Sequence, residues 1–137
     1  MRGPGGLIEL YSSTIAAANT GDVGVTAPVE GVKALIVEAA FAYGAGGTTC
    51  DAYLQTRVKG GTWRDIMNFN FTTAAAKKWS KVSVDIAMAA AVATSDAAMS
   101  ANTILDGLLG DEIRVKRVST GTYSGATSLT VTASAKY

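Results

Sequence analysis

Apolar and polar residues alternate with a period of two in one segment after another of this 137-residue chain, and glycine-rich breaks separate the segments. That period marks strands with one buried face. In residues 34–43, Leu35, Val37, Ala39, Phe41 and Tyr43 share a face opposite Ile36 and Glu38. Residues 50–58 set Leu54, Thr56 and Val58 against Tyr53, Gln55 and Arg57, and residues 63–71 set Asp65, Met67, Phe69 and Phe71 against Ile66, Asn68 and Asn70. Between these two runs stands Lys59-Gly60-Gly61-Thr62. Its glycines take positive φ without steric penalty, so the pair predicts a hairpin.

Further strands are predicted over 79–88 (Val82, Val84, Ile86 and Met88 against Lys81, Ser83 and Asp85), 112–119 (Ile113, Val115 and Arg117 against Arg114, Lys116 and Val118) and 128–136 (Leu129, Val131, Ala133 and Ala135 against Thr130, Thr132 and Ser134). Shorter runs at 7–11 and 23–29 add two more, the second limited to an edge or strand end by Pro28, which has no N–H to donate. Residues 12–22, 44–47 and 120–128 read as loops or turns. Residues 72–78 are rich in Ala and Lys and admit a helical turn, while 89–110 form the longest irregular stretch, a short helix or a loop packed by its own side chains. About eight closely spaced strands without regular helices predict an all-β fold, an antiparallel β-sandwich or jelly-roll-like architecture. A single domain spans 7–137, after a flexible Gly- and Pro-rich leader at 1–6.

Composition narrows the function more by what it lacks. A hydrophobic share of 48% is sufficient for a core at this length, although much of it is alanine, so neighbours in an assembly are expected to add burial. The net charge of +1 provides no general field for nucleic acid or an anionic membrane, and specific nucleic-acid binding is not expected. No run approaches the ~20 apolar residues that span a bilayer, and the N-terminus lacks the apolar core of a signal peptide. Lone Cys50 has no disulfide partner and reads as a small half-buried strand residue.

With no histidine, Ser-His-Asp, Cys-His and His-zinc chemistry are excluded. Neither glycine cluster fits a phosphate-binding loop. Asp106, Asp111 and Glu112 lack the spacing of a calcium loop and are expected to solvate a turn. The chain therefore reads as a non-enzyme without catalytic residues, cofactor or metal. Two basic groups stand out as candidate partner contacts: Lys77, Lys78 and Lys81 around Trp79, and Arg57 with Lys59 at the predicted hairpin tip. The first group reads as a phosphate or base-stacking patch or, more simply, as lysines guarding a strand edge while Trp79 anchors the core. Trp63, beside the Gly60-Gly61 turn, reads either as a sugar-stacking platform or as a side chain closing one end of the sandwich core.

The run from Tyr53 through Gly60-Gly61-Thr62-Trp63-Arg64-Asp65-Ile66 and the following Phe69-Asn70-Phe71 resemble a hairpin found in small virion proteins of tailed bacteriophages. Leu109-Gly110-Asp111-Glu112-Ile113-Arg114-Val115, Thr120-Gly121-Thr122-Tyr123-Ser124-Gly125 and Leu129-Thr130-Val131-Thr132-Ala133 resemble the later parts of the same pattern. The likeness covers roughly the C-terminal two-thirds, and departs from the pattern at Arg57-Val58-Lys59, which makes the hairpin tip basic. It implies a virion structural protein from the head and neck region. The expected role is a capsid decoration (cement) protein on the capsid surface, assembled in the host cytoplasm, with the major capsid protein as partner and a homo-oligomeric state. A head–tail connector or tail component is the nearest alternative, and a carbohydrate-binding module using Trp63 is the alternative from another class.

Overall fold

Strand periodicity becomes eleven strands in a computed structural model of the protein, which describes residues 6–16 and 18–137. Seven are long: β1 (Leu7–Thr14), β4 (Ala34–Ala42), β6 (Thr49–Arg57), β7 (Arg64–Phe71), β8 (Ala76–Ser83), β9 (Glu112–Thr120) and β11 (Ser128–Lys136). The others are β2 (Asn19–Val23) and the two-residue strands β3 (Ala27–Pro28), β5 (Ala45–Gly46) and β10 (Tyr123–Ser124). All pairings are antiparallel. Sheet A has the order β1-β11-β4-β8, and sheet B the order β2-β9-β6-β7, with β3 also on β9. β5 and β10 form a small ribbon of their own.

The alternating side chains explain why the sheets pack face to face. Sheet A contributes Leu35, Val37, Ala39 and Phe41 from β4, and Leu129, Val131, Ala133 and Ala135 from β11. Sheet B contributes Cys50, Ala52 and Leu54 from β6, Met67, Phe69 and Phe71 from β7, and Ile113 and Val115 from β9. Phe41 stacks on Phe71 at 5.0 Å between centroids and meets Tyr123 edge-on at 5.7 Å, joining the sheets at the ribbon end. Such ring pairs add ~0.5–1.5 kcal/mol each beyond their buried area. A Cβ at Gly47 would stand 2.2 Å from the Tyr123 ring, so glycine is required there.

Polar groups lace both open sides of the sandwich. On one, Tyr11 of β1 donates its hydroxyl to Asp22, which pairs at 3.7 Å with Arg117 of β9. Arg117 lies on the inward face that the alternation assigns to it, and is buried. On the other, Lys78 of β8 donates Nζ to the Asn70 carbonyl of β7 and sits 5.0 Å from the Phe71 ring.

Several sequence expectations are corrected. Residues 12–22 are not one loop: β1 runs on to Thr14, and β2 begins at Asn19. Residues 23–29 are no continuous strand: the Gly24 amide still reaches the Val115 carbonyl of β9 at 2.9 Å, but the Val25 amide turns to Leu10 of β1, and Gly24 lies so near β1 that a Cβ would stand 2.0 Å from the Leu10 carbonyl oxygen. β8 starts at Ala76 rather than with a helical turn and ends at Ser83, leaving Val84, Ile86 and Met88 exposed. Cys50 is fully buried rather than half-buried. Of the predicted leader, residues 1–5 lie outside the described residues, while Gly6 already accepts the Ala135 amide at 3.2 Å.

The largest departure concerns the outer face of sheet B. Between Leu54 and Gln55 the β6–β7 register slips, so that Leu54 faces Met67 while Gln55 faces Asp65, and Ile66 is the extra residue. Asp65 is thereby turned from the side of Met67 to the opposite face, where residues 84–111 cover it without forming a helix. Its carboxylate is 0% exposed. It accepts bonds from Gln55 Nε2 (2.8 Å), Ser95 Oγ (2.8 Å) and the backbone amides of Ala97, Ala98 and Met99 (3.0, 2.9 and 3.3 Å). Ala97 takes a left-handed φ of 55° to aim its amide there. Asp65→Asn substitutes donors for one acceptor oxygen among five donors, and is expected to lower stability by about 2–4 kcal/mol and open residues 84–111 to protease, measured by denaturant melts and limited proteolysis. Proteolysis unchanged in the variant refutes this role.

Candidate functional site

On sheet A the strand registers set outward side chains into three cross-strand rows. These are Ser12–Thr130–Ala40–Lys77, Glu9–Thr132–Glu38–Trp79 and Leu7–Ser134–Ile36–Lys81. Along β11 the outward side chains of these rows are the short Thr130, Thr132 and Ser134, while β4 adds Ala40 together with the longer Glu38 and Ile36. No strand among the described residues lies over this face. Trp79 is 70% exposed and donates its indole N–H to Glu38, while Leu7 at the opposite margin is 74% exposed. Trp79 therefore does not anchor the core as expected. It shares the outer face with Lys77 and Lys81 because it is two residues from each.

Of the three lysines singled out, Lys77 and Lys81 flank the tryptophan, and both are exposed. Lys78 points to the other side of β8, where Nζ also meets Asn102 Oδ1 at 3.1 Å. As expected, β8 is an edge strand. Beside its open edge runs a groove of about 320 Å³ whose lining includes Met67, Phe69, Lys78, Trp79 and Ile104.

The hairpin tip belongs to the other sheet. Arg57 pairs with Glu112 at 2.9 Å, and the Lys59 amide is bound by Asp111 at 3.0 Å, leaving the Lys59 side chain exposed. Trp63 is half-buried and stands outside the core cluster, so it does not close the sandwich end. The guanidinium carbons of Arg57 and Arg114 each lie 4.4 Å from its ring centroid. A sugar stacking on this ring would compete with those cations. Arg114 is oriented by Gln55 Oε1 at 2.8 Å, and burial lowers its pKa.

The acidic residues near residue 106 have separate tasks. Asp106 accepts the amides of Ser83 and Gly107 at 2.8 Å each, fastening the end of β8; Asp111 and Glu112 bind the hairpin tip. No group of three or more His, Cys, Asp or Glu among the described residues is placed to hold a metal ion. No described helix is long and apolar enough to cross a membrane.

Sequence reasoning did not single out Asp65, Asp96, Gln55, Arg114 and Lys116 as a unit. Gln55 Nε2 bridges Asp65 and Asp96 at 2.8 Å each, and Lys116 pairs with Asp96 at 2.9 Å. The bonds from Gln55 and Lys116 hold the Asp96 carboxyl below its ordinary value. A lowered carboxylate pKa contributes stability that is present above the unfolded value near 3.8 and lost as pH falls through the folded one. Asp96→Asn should thus be less stable than the parent at pH 7, by no more than about 1 kcal/mol given solvent screening. The difference should shrink as pH falls below the unfolded value, as read from melts across pH.

Burial is the main cause raising Tyr11, Tyr53, Tyr123 and the Cys50 thiol to about 12. For raised acids the stabilising contribution is complete below the unfolded values, near 10 for tyrosine and 9 for cysteine, and is lost as pH rises toward 12. Cys50 should stay unmodified by a thiol reagent at pH 8 in the native protein and react stoichiometrically once unfolded. Rapid native labelling would contradict its burial.

No family model matches this sequence, and no curated protein or solved structure is significantly similar to it.

Proposed function

We propose that this protein is a structural component of a tailed-phage particle, a capsid decoration protein that docks on the major capsid protein through the outer face of sheet A. The observation that carries the reading is Trp79, left 70% exposed between Lys77 and Lys81 on a sheet face that no described strand covers. An exposed tryptophan suits a protein interface, where aromatic side chains are enriched and carry much of the binding energy, and Lys77 and Lys81 suit its polar rim. The sequence resemblance to phage virion proteins supplies the identity of the partner.

In this role the outer face of sheet A seats on the shell, and the protein, as an oligomer, bridges neighbouring capsid subunits. Each bridge adds contacts that an expanding shell must break, so stability rises by mass action with occupancy.

Quantitative mass spectrometry of purified particles tests the reading. A ratio to the major capsid protein on the order of one, or one per few subunits, supports decoration. A handful of copies per particle moves the protein to the connector or tail, and absence rejects a virion role. On the decoration reading, Trp79→Ala should weaken capsid binding by about tenfold or more while the melting curve stays near the parental one, because the side chain is outside the core.

A further inference from the structure

The edges of the two sheets are treated differently. β7 is covered: the Asn68 amide donates to the Thr103 carbonyl at 3.0 Å, the Leu105 amide to the Ile66 carbonyl at 2.8 Å, and Met67 bridges to Ile104. β1 carries a bulge, and its Leu10 carbonyl receives the Val25 amide at 3.2 Å. β2 is short and bulged. These are the devices by which sheets avoid adding strands. β8 has eight residues with no register shift and pairs with β4 alone. An antiparallel ladder uses only half of an edge strand's backbone groups, so the remaining N–H and C=O groups of β8 point away from β4.

We propose that this edge and the groove beside it receive an extended partner segment of alternating acidic and apolar residues, added to sheet A as a further strand. Side chains of an added strand point alternately to the two faces of the sheet. One set enters the groove, where Met67, Phe69 and Ile104 offer apolar surface, Ile104 being 39% exposed. The other set emerges on the outer face opposite Lys77, Trp79 and Lys81, where acidic residues find cross-strand charge partners. The spacing between Lys77 and Lys81 covers roughly 13 Å of strand, within reach of a six-residue segment about 20 Å long.

The lysines also decide against the other occupant. A second copy pairing antiparallel along β8, centred on Trp79, would set Lys77 opposite Lys81 twice, and like charges directly across a ladder repel. Lysine on an edge thus disfavours cationic strands and favours an acidic one. The inference rests on the docking proposal for the source of the segment, a loop or tail of the capsid protein, but the groove and its selectivity belong to the isolated chain.

The test is made on the full protein, isotopically labelled, by following β8 amide resonances and the Trp79 indole N–H in NMR. The probes are an acetylated, amidated hexapeptide alternating Glu and Val, the same peptide with Lys for Glu, and the Glu-Val peptide N-methylated at every residue. Saturable shifts centred on residues 76–82 are expected with the Glu-Val peptide, at least fivefold weaker with the other two. The K77E/K81E double variant should reverse the preference toward the Lys-Val peptide. Absence of shifts on β8, or equal binding of the N-methylated peptide, overturns strand addition. Equal binding of the Glu and Lys peptides overturns the charge selectivity. Peptide binding by a protein absent from particles would reject the docking proposal and leave this one standing, whereas particle binding without peptide shifts would do the reverse.

Discussion

The buried carboxylate of Asp65 is the interaction on which the rest of the architecture depends. A charge with no solvent exposure is tolerated only where hydrogen bonds replace its hydration, and here five donors do so, three of them consecutive backbone amides. Those amides come from the middle of the 84–111 connection, so satisfying one side chain draws a long segment without a helix onto the outer face of sheet B. Gln55, Tyr53 and Asn68, outward by alternation, are buried in consequence. The sandwich becomes asymmetric: one outer face is partly covered by the chain itself, and no described strand lies over the other.

The same logic governs the sandwich sides. Its apolar interior is built largely from Ala, Val and Leu with a few rings, and polar groups close what those side chains leave open. Asp22 ties Tyr11 of sheet A to Arg117 of sheet B, while Lys78 reaches from sheet A to the Asn70 carbonyl of sheet B. Lys78 is held by a carbonyl of the opposite sheet, and the Asp22–Arg117 pair within sheet B is reached from sheet A by the Tyr11 hydroxyl, so polar contacts fix how the sheets sit on each other more specifically than small apolar residues do.

Function is then a matter of what remains uncommitted. Arg57, Arg114, Lys116 and Lys78 are engaged within the fold by carboxylates, amides, carbonyls or rings, whereas Lys77, Trp79 and Lys81 are presented together on β8. Their alignment comes from strand geometry alone, and the face beside them carries the short outward side chains of β11 with Glu38 and Ile36 of β4. The proposed docking role would draw on this aromatic group and the charges beside it.

The all-β fold, the β6–β7 hairpin and the long strands β4, β6, β7, β9 and β11 were legible in the sequence, because a period of two and paired glycines act locally on the backbone. Trp79 was expected in the core and is exposed instead, on the face whose parity it shares with Lys77 and Lys81. Periodicity says which residues lie on the same face of a strand, and says nothing about which face another segment will cover. That decision fell to contacts remote in sequence: the bulge at Ile66 that turned Asp65 outward, the amides of residues 97–99 that met it, and the guanidiniums of Arg57 and Arg114 that met Trp63. Each depends on two strands finding one register, a property of the folded sheet and not of either strand's own sequence.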